Sequence, residues 1–157
     1  MYDALDIARY VINYCNQKGY LISNLRLQKL LYFIQAYYVT EYNKPCFYNT
    51  IKAYDFGPVI NDVYNEYKCH GNSHIPYIKT YIQYDRNNIW NSSRLEFDAN
   101  IIFVHDQRIL EFLIDSFSSY ESSDLLNIIQ HQTPWIQAFY QSSDHIITNK
   151  MLSTYFD

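Results

Sequence analysis

Cys69, His70 and His74 are the one place in this 157-residue chain where side chains able to ligate a metal crowd together. Zinc takes four ligands in a structural site, or three and a water in a catalytic one. Cys69 and His70 are adjacent and diverge on a helix, His74 lies beyond Gly71, and no second ligand pair is evident, so neither a metal nor a cofactor is expected. Nucleophilic catalysis needs a Cys or Ser beside a His and an orienting group. Cys15 and Cys69 fall in or near helical stretches, and His131 reads as a lone histidine bonded to backbone at a helix junction. No reaction follows from these residues, and the chain is expected not to be an enzyme. Asp55-Phe56-Gly57-Pro58 precedes a helix N-terminus, where free N–H groups favour an anion. It lacks the glycine-rich loop and lysine of a phosphate cradle. Asp55 is expected to cap the helix or to pair with a basic group.

The elements that must carry these side chains read as mainly helical. Ala4, Leu5, Ala8, Val11, Ile12 and Cys15 recur at helical spacing from Asp3 to about Gln17, with Asp3 placed to cap and Gly19 to end the helix in a left-handed turn. In the second helix Ser23 caps and Ile22 staples onto Leu27. Its apolar stripe of Leu27, Leu30, Leu31, Ile34, Tyr37 and Tyr38 runs to about Tyr42, leaving Arg26, Lys29 and Gln35 on or near the other side. Ile51–Tyr54 is a short extended piece. Pro58 suits the first position of a third helix, lined by Val59, Val63, Tyr64 and Tyr67 and ended by Gly71.

From Ser73 to Phe103 the helical period is lost. Ile75, Tyr77, Ile78, Tyr81, Ile82 and Tyr84, with the turn Arg86-Asn87-Asn88, predict an irregular β-hairpin and the natural place for a partner-facing insertion. Asp106 is expected to cap a helix through Ile109, Leu110, Leu113 and Phe117. Ser122 or Ser123 caps a short one, Thr133 caps another that has Pro134 in its first turn and Trp135 as its anchor, and Thr148 caps a last one through Phe156. The predicted fold class is mainly α: a compact single-domain helical bundle of six or seven helices over residues 1–157, with a small irregular β-hairpin insertion.

Eighteen tyrosines give the chain many rings with polar tips, suited to a core edge or a contact surface. The net charge of −4 and twelve scattered Lys and Arg offer no basic stripe to neutralise phosphates, which counts against nucleic acid as a partner. Three cysteines far apart do not make a disulfide framework. An acidic start and the lack of a membrane-length apolar run set the expectation of a cytoplasmic protein with no membrane partner.

Three segments taken together resemble the Panacea, or SocA-like, antitoxin domain. Leu27-Gln28-Lys29-Leu30-Leu31-Tyr32-Phe33 is similar to the family's leucine-glutamine-lysine-leucine helix. Ile51-Lys52-Ala53-Tyr54-Asp55-Phe56-Gly57-Pro58-Val59, followed by Val63-Tyr64, is similar to its alanine-aromatic, glycine-proline-valine segment. His131-Gln132-Thr133-Pro134-Trp135 is similar to its histidine and proline-tryptophan. Tyr54 stands where the family often has tryptophan, and the stretch from Ser73 to Phe103 departs from the pattern. The resemblance implies an antitoxin of a toxin–antitoxin pair, of a kind often found on phages and other mobile elements. Such a protein binds its cognate toxin and neutralises it directly or, in one style, delivers it to a protease. Some members add a DNA-binding helix-turn-helix domain, for which this chain is expected to have no room.

On that basis Gln28, Lys29, Tyr32, Asp55, Phe56 and Trp135 are the candidate partner-binding residues. Each has a bland counterpart: Lys29 merely solvated, Asp55 a cap, Trp135 a core anchor. A second function class, a transcriptional regulator using the first two helices as a helix-turn-helix, has only the Gly19 turn, Arg26 and Lys29 in its favour.

Overall fold

The computed structural model describes all 157 residues. Helix α1 (Ala4–Lys18) is capped by Asp3, which accepts from the Leu5 N–H, and stops at Gly19 in the left-handed conformation, φ 75°. Helix α2 (Asn24–Glu41) follows, with Ser23 accepting from the Arg26 N–H. Buried residues occur on every side of α2, Gln28, Lys29 and Gln35 among them, because other elements pack around it. The expected polar side for Lys29 and Gln35 is therefore corrected: both are core positions.

Strands β1 (Ile51–Tyr54) and β2 (Gly57–Val59) form a tight antiparallel pair, with Lys52 opposite Val59. Here the sequence reading is corrected again, because Gly57-Pro58 opens no helix. Gly57 has φ 121°, which no helical residue adopts, and Pro58 sits on the sheet's outer strand, where a missing N–H is tolerated. Helix α3 (Asn61–Tyr67) starts three residues after Pro58, and a 3₁₀ turn at Lys68–His70 carries it to Gly71. The expected hairpin is present as an arm in which β3 (Thr80–Gln83) pairs antiparallel with β4 (Ser93–Glu96). At its base the Asn13 amide donates to the Ile78 carbonyl (2.8 Å) and accepts from its N–H (2.6 Å), and the Arg9 guanidinium lies 3.5 Å over the Tyr81 ring.

Helices α4 (Val104–Phe117), α5 (Ser122–Gln130) and α6 (Thr133–Ile136), the last running into a π turn at Gln137–Gln141, lead to β5 (Ile146–Ile147) and α7 (Asn149–Phe156). Strand β5 pairs with β1, completing a three-stranded sheet ordered β2-β1-β5. Thr148 caps α7 as expected. Three other caps are corrected. Gln132, not Thr133, flanks α6; Glu121 precedes α5 and donates its N–H to Asp124; and α4 begins two residues ahead of Asp106.

Asp106 accepts instead from the Tyr2 and Tyr38 hydroxyls. Further along α4, Glu111 accepts from Tyr10 (2.6 Å), and Asp115 from Tyr14 (2.9 Å) and Tyr20 (2.8 Å). Five tyrosines thus pin α1, α2 and the turn after Gly19 to one helix by their polar tips. The molecule is mainly α, with seven α-helices and two small sheets around one cluster of 36 buried apolar residues. No helix is long and apolar enough to cross a membrane.

Candidate partner-binding surface

The three segments singled out in the sequence meet at one junction. Gln28 is fully buried; its amide donates to Asn24 Oδ1 and its carbonyl accepts from the Ile60 N–H, each at 2.9 Å, which ties α2 to the start of α3. Tyr32, also fully buried, donates to Gln132 Oε1 at 2.7 Å and joins α2 to the entry of α6. Gln130 of α5 donates to the Asp55 carbonyl at 2.9 Å, closing the ring back onto the β1–β2 turn.

Lys29 sits inside this ring, 3% exposed, with Nζ donating to the Leu25 carbonyl at 3.2 Å and to Ser122 Oγ at 3.4 Å. No carboxylate faces it, since the one ion pair of the chain is Arg9–Asp6. Burial, aided by the nearby Arg26 charge, pushes its ammonium down to about 8. The chain passes over the lysine at Gly57, where an added Cβ would lie 3.3 Å from Leu126 Cδ1 and 3.6 Å from Lys29 Cε.

Four of the six candidate contacts are therefore corrected. Gln28, Lys29, Tyr32 and Trp135 are buried and cannot touch a partner while the chain is folded this way. Trp135, 4% exposed, stacks on Phe139 at 4.5 Å and anchors its helix in the core. Asp55 and Phe56 are at the surface. Asp55 neither caps α3 nor pairs with a base; its carboxylate accepts from the Phe56 N–H within the turn. Phe56 stacks on Tyr54 (5.5 Å, 13° between planes) and approaches Tyr64 of α3 at 6.2 Å. The outer face of the junction is thus an aromatic patch held up by the buried motif residues.

His131 Nδ1 meets the Asn127 carbonyl at 2.7 Å, the backbone role expected of it. His74 Nδ1 accepts from the Ile22 N–H at 2.9 Å, so its proton lies on Nε2, which donates to Asn16 Oδ1. The sequence marks this stretch as a partner-facing insertion but names no contact residue on it; at the arm's tip Tyr84, Ile89 and Trp90 are 62%, 67% and 89% exposed. A tryptophan beside the turn Arg86-Asn87-Asn88 was the available signal.

The family model for the SocA-like antitoxin, Panacea domain, matches residues 27–136. That span begins at Leu27, crosses the arm and ends just after Trp135, taking in all three landmark segments. Comparison with curated proteins and with solved structures gave no match. With well over half its length matched, and with all three landmark segments folded into one structural unit, the chain belongs to the SocA-like antitoxin (Panacea domain) family.

Proposed function

We propose that this chain is the antitoxin of a toxin–antitoxin pair and acts by binding its cognate toxin protein, without catalysis. The observation that carries the reading is the division of labour at the junction. The family's motif residues are spent on internal fastening, and what they support at the surface is the stacked Tyr54–Phe56 patch. Large rigid aromatic side chains give contact area at small entropic cost. Direct neutralisation is the simplest form of the mechanism; delivery to a protease would add turnover of the bound toxin.

The test is co-expression with the product of the adjacent gene. Toxicity of that product alone, its suppression by this chain and co-elution of the two support the reading. A harmless neighbour that never co-elutes ends it. The regulator alternative finds no support in α2, which is buried along its length and has no free face for a DNA groove. Arg26 is committed to the Phe117 and Tyr120 carbonyls at the end of α4, and Lys29 is internal.

A further inference from the structure

A cleft of about 440 Å³ opens between the body and the turn of the arm. The body contributes Asp3, Tyr48, Asp62 and Glu66, and the arm contributes Tyr84 and Arg86. Three carboxylates thus face one guanidinium, and none of them forms an ion pair with it. Asp3 is held by the Tyr48 hydroxyl (2.9 Å) and Asp62 by the Asn49 amide (3.0 Å), so both are fixed in place with acceptor capacity to spare. Tyr48 and Tyr84 are 60% and 62% exposed and offer ring faces beside the acids.

The surface continues beyond the cleft. Tyr54 reaches Asn61 at 3.5 Å, next to Asp62, and Tyr64 lies on the same short helix. The cleft, bordered by Tyr54 at the first turn of α3, is thus an acidic face with aromatic edges, whereas Tyr64 lies about 200° around the helix from both Asp62 and Glu66 and turns away from it. We infer that this face docks a basic, arginine-bearing segment of a partner protein, with guanidinium groups lying between the cleft carboxylates and against the tyrosine rings. Charge complementarity selects that occupant: arginine pairs with carboxylates through its fork of donors and stacks on aromatic faces, whereas an acidic segment or a phosphate backbone is repelled. The inference names the surface and the partner chemistry within the antitoxin reading and rests on that reading only for calling the partner a toxin.

The experiment uses the full chain, labelled for amide NMR, titrated with the peptide (Arg-Gly)4-Arg and with (Glu-Gly)4-Glu as control. Shifts on residues 48–49, 61–66 and 84–86 with the arginine peptide alone are expected. Affinity should fall roughly tenfold between about 50 and 300 mM salt, as screening dictates. Asp62→Lys with Glu66→Lys should weaken the peptide at least about tenfold, and the milder Asp62→Asn with Glu66→Gln should do so in part should the reversal unfold the chain. Glu41→Lys, at the exposed end of α2, should leave binding unchanged. Absence of shifts, shifts elsewhere on the surface, or equal sensitivity to Glu41→Lys overturns the inference. Co-elution with the adjacent gene product separates the two claims. If that product binds and Asp62→Asn with Glu66→Gln has no effect, the docking face is wrong and the antitoxin reading stands. If it never binds while the peptide maps to the cleft, the antitoxin reading is wrong and the face stands.

Discussion

Lys29 shows how far one residue can depart from what its type suggests. A lysine is almost never fully buried unless paired, so an exposed position, facing solvent or a partner, is the natural expectation. Packing overrides that here because α2 is covered on all sides and has no wet face. Two long hydrogen bonds do not replace the hydration of an ammonium, and burial holds the group down at about 8. An unfolded lysine titrates near 10.4. Between about pH 8 and 10.4 the unfolded chain therefore binds more protons than the folded one, and stability rises with pH across that window. At neutral pH the full penalty is present. Lys29→Met should raise stability by about 1–3 kcal/mol at pH 7 and flatten the rise above pH 8. Urea unfolding of both proteins at pH 7 and 9.5 measures this; a less stable variant at pH 7 would mean that the charge is compensated after all. Gln28 is the opposite case, buried with both its amide nitrogen and its carbonyl oxygen bonded. Gln28→Ala leaves the Ile60 N–H without its acceptor and should cost about 2–3 kcal/mol in the same measurement.

At the scale of elements, what was legible depended on how local the cause was. Asp3, Ser23, Gly19 and Thr148 were read correctly because a cap is settled within a few residues of its helix end. Gly57-Pro58 was misread because the same pair suits a helix start or an outer strand, and only the pairing with β1 decides. Strand β5 is two residues long, and its partner lies about 95 residues earlier in the chain. No local pattern marks it. Asp106 was read as a cap when its true partners are hydroxyls from Tyr2 and Tyr38. The line of carboxylates on α4 has a consequence for alkaline pH. Desolvation and the bonds to Asp106, Glu111 and Asp115 push the Tyr2 hydroxyl up to about 12 and those of Tyr10, Tyr14 and Tyr38 up as well. Their contribution is complete below the unfolded tyrosine value of about 10 and is lost as pH rises past it. Tyr10→Phe with Tyr14→Phe should cost about 1–2 kcal/mol at pH 8, and the gap should close as the wild type weakens above pH 10. Melting followed by circular dichroism from pH 8 to 11.5 reads both effects. The arm depends on fewer fastenings. A two-stranded hairpin is marginal alone, so Asn13→Ala, which removes both bonds to Ile78, should speed amide exchange at Tyr81, Ile82 and Leu95 by about tenfold or more while leaving α2 protected.

For the whole molecule, the three landmark segments were visible in the sequence as a set, but their common purpose was not. Residues 28 and 60, 32 and 132, and 55 and 130 meet only after the chain has closed contacts up to a hundred positions apart. Periodicity placed the leucines of α2 inside correctly; it could not tell that Gln28, Lys29 and Tyr32 would follow them. The segments thus hold two kinds of residue, one that builds the junction and one that the junction displays, and substitution should separate them. Tyr54 and Phe56 are each 36% exposed; their rings stack on one another, and that of Phe56 also approaches Tyr64. Tyr54→Ala with Phe56→Ala should change folding stability by no more than about 1 kcal/mol. If the patch is the centre of the toxin contact, the same pair should weaken binding by about 2 kcal/mol or more, roughly thirtyfold, in a calorimetric titration. Gln28→Ala should do the reverse: it should lower the melting temperature and leave the affinity of the remaining folded protein near that of the wild type. A double variant that keeps full affinity would remove the Tyr54–Phe56 patch from the interface, and a double variant that unfolds would make those two rings part of the fastening.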